Sequence, residues 1–202
     1  FMLTFWAWAL LGPLGPALRE SLDLTAFEQS LVVAVPVVVG SLGRIPVGAL
    51  TDRLGARRMF PAVALLTVFP VLYLGHVADS YGEYLVGGFF LGLGGTTFAI
   101  GVPFVNSWFP PERRGTAIGI FGIGMGGTAI SAFSTVQLRD RFGDSVPFDL
   151  VAVLLVAYAV VAWLLLVDRP DRVVATGSLL ARTIVTLRMR TTIELAFLYA
   201  VS

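Results

Sequence analysis

The stretch PVVVGSLGRIPVGALTDRLGARR, residues 36–58, decides the fold class of this chain. Its first part is apolar and contains one charged residue, Arg44, whereas the segment from Asp52 to Arg58 is polar and apolar sequence follows it. A charge inside a membrane helix costs at least about 2.5–3.5 kcal/mol on insertion scales, so it usually has a function. The stretch therefore predicts a membrane-spanning helix with a functional arginine, followed by a tight polar turn.

Arg44 lies well inside this predicted helix. If the helix begins near residue 29, a rise of about 1.5 Å per residue puts Arg44 roughly 22 Å along it and about 12 Å before Asp52. An arginine that snorkels to the membrane surface is the alternative interpretation. Pro36, Gly40 and Gly48 recur with Arg44 at steps of four and share its helix face. Small residues on that face leave room for a ligand or for a closely packed helix.

The composition of the whole chain indicates an integral membrane protein. Of its 202 residues, 56% are hydrophobic and 13% are charged, and the mean hydropathy is +0.85; soluble domains carry about 25% charged residues. Apart from Arg44, the charges fall at helix ends, so the net charge of +1 gives no reason to expect a nucleic-acid partner. Cysteine is absent, which excludes thiolate metal sites and disulfides. We expect an all-α protein in a lipid bilayer, without a metal or a cofactor.

Six apolar segments of membrane-spanning length follow one another, at residues 1–18, 29–51, 59–77, 84–106, 115–138 and 148–167. Glycine and proline at residues 12–16 predict a kink near the outer end of the first span. Thr25 and Glu28 predict a capping box before the second. The fifth span carries a face without side chains, which favours close approach of a helix or a ligand and consists of Gly115, Gly119, Gly122 and Gly126.

The alternation of apolar and polar segments predicts that the chain has three parts. Residues 1–168 form a six-helix bundle, residues 169–190 form a polar linker with a weaker helical stretch, and residues 191–202 start a truncated seventh span. Both ends lie in apolar sequence, so we expect the chain to be part of a longer protein. Ten arginines fall in the loops 52–58, 108–115 and 168–190, and only three in the other loops. Because basic residues concentrate in cytoplasmic loops, those three loops are predicted to be cytoplasmic.

The polar turn after Arg44 resembles the loop motif G-xxx-D-R-x-G-x-R-R of major facilitator superfamily transporters. The matching residues are Gly48, Asp52, Arg53, Gly55, Arg57 and Arg58. The motif lies between spans two and three, where that family has it. The resemblance implies an all-α membrane protein, here the amino-terminal six-helix half of such a transporter, with this loop as a conformational switch.

Within that superfamily the chain resembles the nitrate/nitrite porters over nearly its whole length to about residue 167. The similar segments include Phe5-Trp6, residues 12–16, Gly94-Gly95-x-x-Phe98, Trp108-Phe109-Pro110, and a glycine-rich signature made of Gly119, Gly122, Gly124, Met125 and Gly127. One position departs from the family pattern, because Met125 replaces the usual asparagine and a thioether is a poor hydrogen-bonding group.

This resemblance implies a substrate site and a partner. Arg44 would bind a small inorganic anion such as nitrate or nitrite, Phe98 would form an aromatic wall, and Gly122, Gly124 and Met125 would lie beside the substrate. A second arginine would come from the carboxy-terminal six-helix half. The function implied is secondary transport in the plasma membrane by alternating access, and not enzyme catalysis. Two alternatives remain open, namely a carrier for oxalate or another small carboxylate, and a non-transporting membrane sensor or anchor.

Overall fold

The computed structural model of the chain describes residues 1–170, 184–186 and 188–201, and every regular element in these ranges is helical. Most of the predicted linker lies outside the described residues, although residues 184–186 and 188 are described and helical. The elements in chain order are α1 Met2–Trp8, α2 Leu11–Ser21, α3 Ala26–Leu54, α4 Ala56–His76, α5 Tyr81–Leu91, a first 3₁₀ segment Gly92–Thr96, α6 Thr97–Trp108, α7 Pro111–Gly122, a second 3₁₀ segment Ile123–Gly126, α8 Gly127–Phe142, α9 Val146–Leu165 and α10 Arg190–Val201.

Five helical stretches in the described part of the chain are long and apolar enough to cross a membrane. They are Ala26–Leu54, Ala56–His76, Tyr81–Trp108, Pro111–Phe142 and Val146–Leu165, and they correspond to predicted spans two to six. Predicted span one corresponds to the two shorter helices α1 and α2. The chain is thus an all-α, multi-pass membrane protein.

Span one was predicted as a single helix with a kink near its outer end, and this prediction is wrong. The helix breaks at Ala9 and Leu10, about the middle of the span, and resumes at Leu11. Pro13 has no N–H to donate to the carbonyl of Ala9, four residues earlier, and its ring crowds that carbonyl. The Ala9 carbonyl instead accepts from Gly12 N at 3.2 Å, a tighter i to i+3 bond. The proline therefore acts one turn before its own position.

Spans four and five are also not continuous α-helices. Each changes to a 3₁₀ segment at its centre, over Gly92–Thr96 and Ile123–Gly126. Both segments are rich in glycine, which lowers the stability of an α-helix by about 1 kcal/mol per residue relative to alanine. The glycines of the first segment lie directly against α1 and α3.

Most polar turns are shorter than predicted. Between α3 and α4 only Gly55 is non-helical, with φ +86° and ψ +155°. The loop expected at 108–115 contracts to Phe109 and Pro110, because Pro111 is suited to the first position of α7. The predicted capping box is confirmed: Glu28 N donates to Thr25 Oγ1 at 3.2 Å and Thr25 N donates to Glu28 Oε2 at 2.9 Å.

The interior of the bundle contains two apolar clusters. The larger one joins α1, α2, α4, α5 and α9 around side chains such as Leu74 and Leu155, and α4 packs along α9 throughout. The smaller one lies toward the motif loop and includes Phe60 and Ile100. Large apolar side chains such as Phe69, which is 71% exposed, cover the outside of the bundle, as expected for a surface that contacts lipid.

Candidate functional site

Arg44 and Phe98, which belong to different predicted spans, lie together in the structure. The half-buried Arg44 side chain extends from α3 toward the first 3₁₀ segment, where its Nε donates a long hydrogen bond of 3.4 Å to the carbonyl of Gly95. Its Cζ lies 5.3 Å from the centroid of the Phe98 ring at the start of α6. That distance falls within the range of a cation–π contact. The guanidinium is thus held on one edge by a backbone carbonyl and on one face by an aromatic ring.

The outer edge of the same guanidinium is open. Among the residues that the structure describes, no acidic side chain pairs with Arg44, and its two terminal nitrogens have no hydrogen-bond partner. A guanidinium has five N–H donors in a planar fork, and only the Nε–H is engaged here. Two parallel N–H groups therefore remain available for a planar anion.

Glycines allow α3 and the first 3₁₀ segment to approach closely enough for this contact. A Cβ atom on Gly40 would lie 3.0 Å from the Gly92 carbonyl, and one on Gly92 would lie 2.6 Å from Val39 Cβ. Further along, a Cβ on Gly43 would lie 2.9 Å from Thr96 Cγ2. Larger residues at these positions would push the two backbones apart and move Gly95 away from Arg44.

The helix face that includes Gly40 and Gly48 is therefore used for packing within this chain. The space beside Gly40 is filled by the Trp8 indole, and the Cβ of Ala99 is the nearest described neighbour of Gly48, at 3.8 Å from an added Cβ. We expected either a ligand or a closely packed helix on this face, and close packing is what the structure has at these two glycines.

An aromatic cluster continues from Phe98 to the second 3₁₀ segment. Phe121 at the end of α7 lies 6.3 Å from Phe98 and stacks on Phe1 at 4.4 Å between centroids. The Phe121 ring packs against Gly101 and the Phe1 ring against Gly124, so that a Cβ atom at either glycine would displace the ring. The cluster thus connects Gly124 of the glycine-rich signature to the aromatic neighbour of Arg44.

The other predicted residues of the fifth span lie on a more open surface. No atom of the described residues comes within 4 Å of a Cβ added to Gly115, Gly119, Gly122 or Gly126. The glycine face predicted for close approach is thus unoccupied within the described chain, whereas Gly124 and Gly127 pack against α1. The Met125 side chain, next to this glycine face, is 47% exposed. The structure therefore joins Arg44, Phe98 and, through Phe1, Gly124, and leaves Gly122 and Met125 on the open side.

The predicted switch loop is organised around a buried glycine. Gly55, with its positive φ, connects α3 directly to α4, so Asp52 and Arg53 lie in the last turn of α3 while Arg57 and Arg58 lie in the first turn of α4. No side chain of its own caps α4, and instead Asp168 Oδ1, just beyond α9, accepts from Arg57 N at 3.2 Å. Sequence reasoning missed Asp168, because it lies 111 residues away from its partner.

Three further contacts were not recognised from the sequence. Trp8, which the sequence leaves as lipid-facing, pocket-lining or packing, lies against Gly40 and Gly95, and Phe121, which was not singled out, lies 6.3 Å from Phe98. His76 ends α4 and pairs at 2.7 Å with Asp149 in the first turn of α9. No local spacing in the sequence marks any of these contacts.

Comparisons with known proteins agree with this architecture. The profile of the Major Facilitator Superfamily matches residues 1–200. The chain is 44% identical over 202 residues to the "Probable nitrate/nitrite transporter NarK2" of Mycobacterium tuberculosis. This alignment covers 99% of this chain and 51% of the relative. It is 39% identical over 155 residues to the "Nitrite extrusion protein" of Bacillus subtilis, or 77% of this chain and 39% of the relative.

A third relative, the "Probable nitrate transporter NarT" of Staphylococcus carnosus, is 34% identical over 161 residues, which is 80% of this chain and 41% of the relative. The chain spans about half the length of the most similar of these three relatives. The family profile, in contrast, covers nearly all of its 202 residues. Together with the helical bundle and the intact loop motif, this match means that the chain belongs to the Major Facilitator Superfamily.

Proposed function

We propose that this chain is the amino-terminal half of a secondary transporter that carries nitrate or nitrite by alternating access. The observation that carries the proposal is the Arg44 guanidinium, which has free terminal N–H groups and lies 5.3 Å from the Phe98 ring. The names of the three relatives, which mention nitrate or nitrite, support this substrate class. The transporter performs no chemical reaction on the anion.

The chemistry of the site suits a small planar oxyanion. Two parallel N–H groups of a guanidinium match two oxygens of nitrate or nitrite, a geometry that lysine does not reproduce. The Gly95 carbonyl holds the Nε edge, so the terminal nitrogens keep a defined direction. An unpaired charge at membrane depth is costly, and a bound anion offsets that cost.

The rest of the proposed machinery lies in the partner half and in the switch loop. A site at the interface of two halves alternates between the two membrane sides as the halves rock about it. The carboxy-terminal half then supplies the opposite wall of the anion site. In this proposal Gly48, Asp52, Arg53, Gly55, Arg57 and Arg58 act as the conformational switch on the cytoplasmic side, and residues 169–190 link the two halves.

A small dicarboxylate such as oxalate is the second candidate substrate. Met125 leaves this alternative open, because it is 47% exposed and offers a thioether where the porters usually have an asparagine amide. A carboxylate accepts the same bidentate contact from arginine as nitrate does. The two candidates share Arg44, so competition between the two anions distinguishes them.

The decisive experiment measures anion affinity in the full-length transporter. We expect Arg44→Lys to bind nitrate about tenfold to a hundredfold more weakly than the parent, since a hydrogen bond to a charged group contributes about 1.5–3 kcal/mol. Isothermal titration with nitrate, nitrite and oxalate reports the affinities, and size-exclusion chromatography checks the fold. Arg19→Lys is the matched control, because Arg19 Nε also donates to a backbone carbonyl, that of Leu24 at 3.3 Å, but far from the site.

Three outcomes would contradict the proposal or part of it. Parent-like nitrate affinity in Arg44→Lys would make Arg44 a structural residue. Binding of oxalate in preference to nitrate would replace the substrate class. Absence of anion-dependent uptake in vesicles, for all three anions, would favour a membrane sensor or anchor instead of a transporter.

A further inference from the structure

The indole of Trp8 lies wedged between the two elements that hold Arg44. Its Nε1 donates to the carbonyl of Pro36 on α3 at 2.8 Å. A Cβ on Gly40 would come within 2.7 Å of that same nitrogen, and a Cβ on Gly95 would come within 2.7 Å of Trp8 Cε2. The ring thus occupies a slot that exists only because α3 and the first 3₁₀ segment both present glycine.

This position connects Trp8 to both partners of the Arg44 contact. Gly40 precedes Arg44 by one helical turn on α3, so the ring packs next to the base of the arginine. Gly95 is the residue whose carbonyl accepts the Arg44 Nε–H at 3.4 Å. The thickness of the indole therefore sets how far Gly95 lies from α3 at the level of Arg44.

The hydrogen bond gives the ring one orientation in the slot. A phenyl ring would fit the same space with fewer atoms and would have no donor for the Pro36 carbonyl. The N–H of Trp8 is the contact that gives this orientation, and the buried bond between Thr4 Oγ1 and Thr97 Oγ1, at 2.8 Å, fixes the same junction one turn away.

We propose that Trp8 is a positioning residue for the anion site. It acts through Arg44, because it holds the Gly95 carbonyl within hydrogen-bond distance of the Arg44 Nε–H. This inference rests on the proposed function of Arg44 and adds a residue of α1 to that site. Trp8 does not touch the anion. It determines the direction in which the terminal N–H groups of Arg44 point.

A double-mutant cycle in the full-length transporter tests this inference. We expect Trp8→Phe to weaken nitrate binding about threefold to tenfold, the loss expected for one neutral hydrogen bond. In an Arg44→Lys background the same change should weaken binding by less than about twofold, because residues that act through one another are not additive. Trp163→Phe is the matched control, since Trp163 lies on the outer surface of α9 and is 54% exposed; it should change neither affinity.

Parent-like affinity in Trp8→Phe, or an equal loss in both backgrounds, would overturn the inference and leave Trp8 as ordinary packing. If Trp8→Phe fails to fold, the isosteric analogue β-(3-benzothienyl)alanine at position 8 removes only the N–H and should show the same pattern.

A second readout separates this inference from the proposed function. Hydrogen–deuterium exchange of residues 92–96 should be faster in Trp8→Phe than in Trp163→Phe, whether or not nitrate binds. If the parent binds no nitrate, the proposed function fails while this readout still reports the positioning role. Unchanged exchange in Trp8→Phe would overturn the positioning role itself.

Discussion

A single residue matters most in this protein where no other residue type adopts the required backbone conformation, and Gly55 is the clearest case. It is buried, it joins α3 to α4 without any other loop residue, and its φ of +86° with ψ of +155° lies in a region open to glycine almost alone. The relative orientation of α3 and α4, and with it the position of the motif arginines, depends on this one peptide unit.

We therefore expect Gly55→Ala to destabilise the full-length protein by about 1–3 kcal/mol, the cost of forcing a side chain into that conformation. Thermal unfolding in detergent, followed by tryptophan fluorescence, measures the loss. Gly82→Ala is the control, because Gly82 is in the first turn of α5 with no described atom within 4 Å of an added Cβ. An unfolding temperature for Gly55→Ala equal to that of the control would show that the turn tolerates a Cβ.

At the scale of elements, the two 3₁₀ segments have different uses. In the first, added Cβ atoms on Gly92, Gly94 and Gly95 would each meet α1 or α3 at 2.6–2.8 Å. At the second, the α7 glycines and Gly126 have open space beside them in the described chain, whereas Gly124 packs against Phe1 and Gly127 against α1. Glycine thus creates a packed junction around Arg44 in one place and an uncovered surface in the other.

The packed junction predicts a strong effect of a single methyl group. Gly92→Ala should destabilise the protein by about 1–3 kcal/mol, as overpacking of a filled interior does, because the added atom meets the Cβ of Val39 and the backbone carbonyl of Pro36. The variant should also lose nitrate affinity, since α3 moves away from Gly95. Unfolding temperature and nitrate titration of the full-length variant measure both effects, and a stable variant with parent-like affinity would contradict this account of the junction.

At the scale of the whole molecule, contacts at the two membrane surfaces hold the helix ends together. On one side His76 pairs with Asp149 at 2.7 Å and Arg139 pairs with Asp144 at 2.8 Å. On the other, the residues after α9 reach two helix ends, because Asp168 accepts from Arg57 N at the start of α4 and Arg169 donates to the carbonyl of Ser107 in the last turn of α6. An acid at a helix start and a base at a helix end both suit the helix dipoles.

The arginine distribution predicts which of these surfaces is cytoplasmic. In this cysteine-free chain, single cysteines at Thr116 and Pro170 should resist an impermeant thiol reagent in intact cells and react only after permeabilisation. Cysteines at Ser21 and Ser145 should react from outside. The reverse pattern of labelling would overturn the orientation with loops 52–58, 108–115 and 168–190 in the cytoplasm.

Composition and local pattern in the sequence determined the membrane class, the order of the apolar segments, the Thr25–Glu28 capping box and the superfamily, and the structure and the family match confirm these. All of them depend on residues that are close in sequence, or on averages over a segment. The pairing of Arg44 with Phe98 was expected only through family resemblance, and their proximity agrees with it, while their role as a binding site stays a prediction.

The tertiary structure alone decided the remaining features. The 3₁₀ segments, the position of Trp8 between Gly40 and Gly95, and the capping of α4 by Asp168 follow no local spacing. Glycine weakens the α-helix locally, so contacts with distant helices decide whether such a stretch is α or 3₁₀. Those contacts form only when the helices pack, and a pattern along the chain does not contain them.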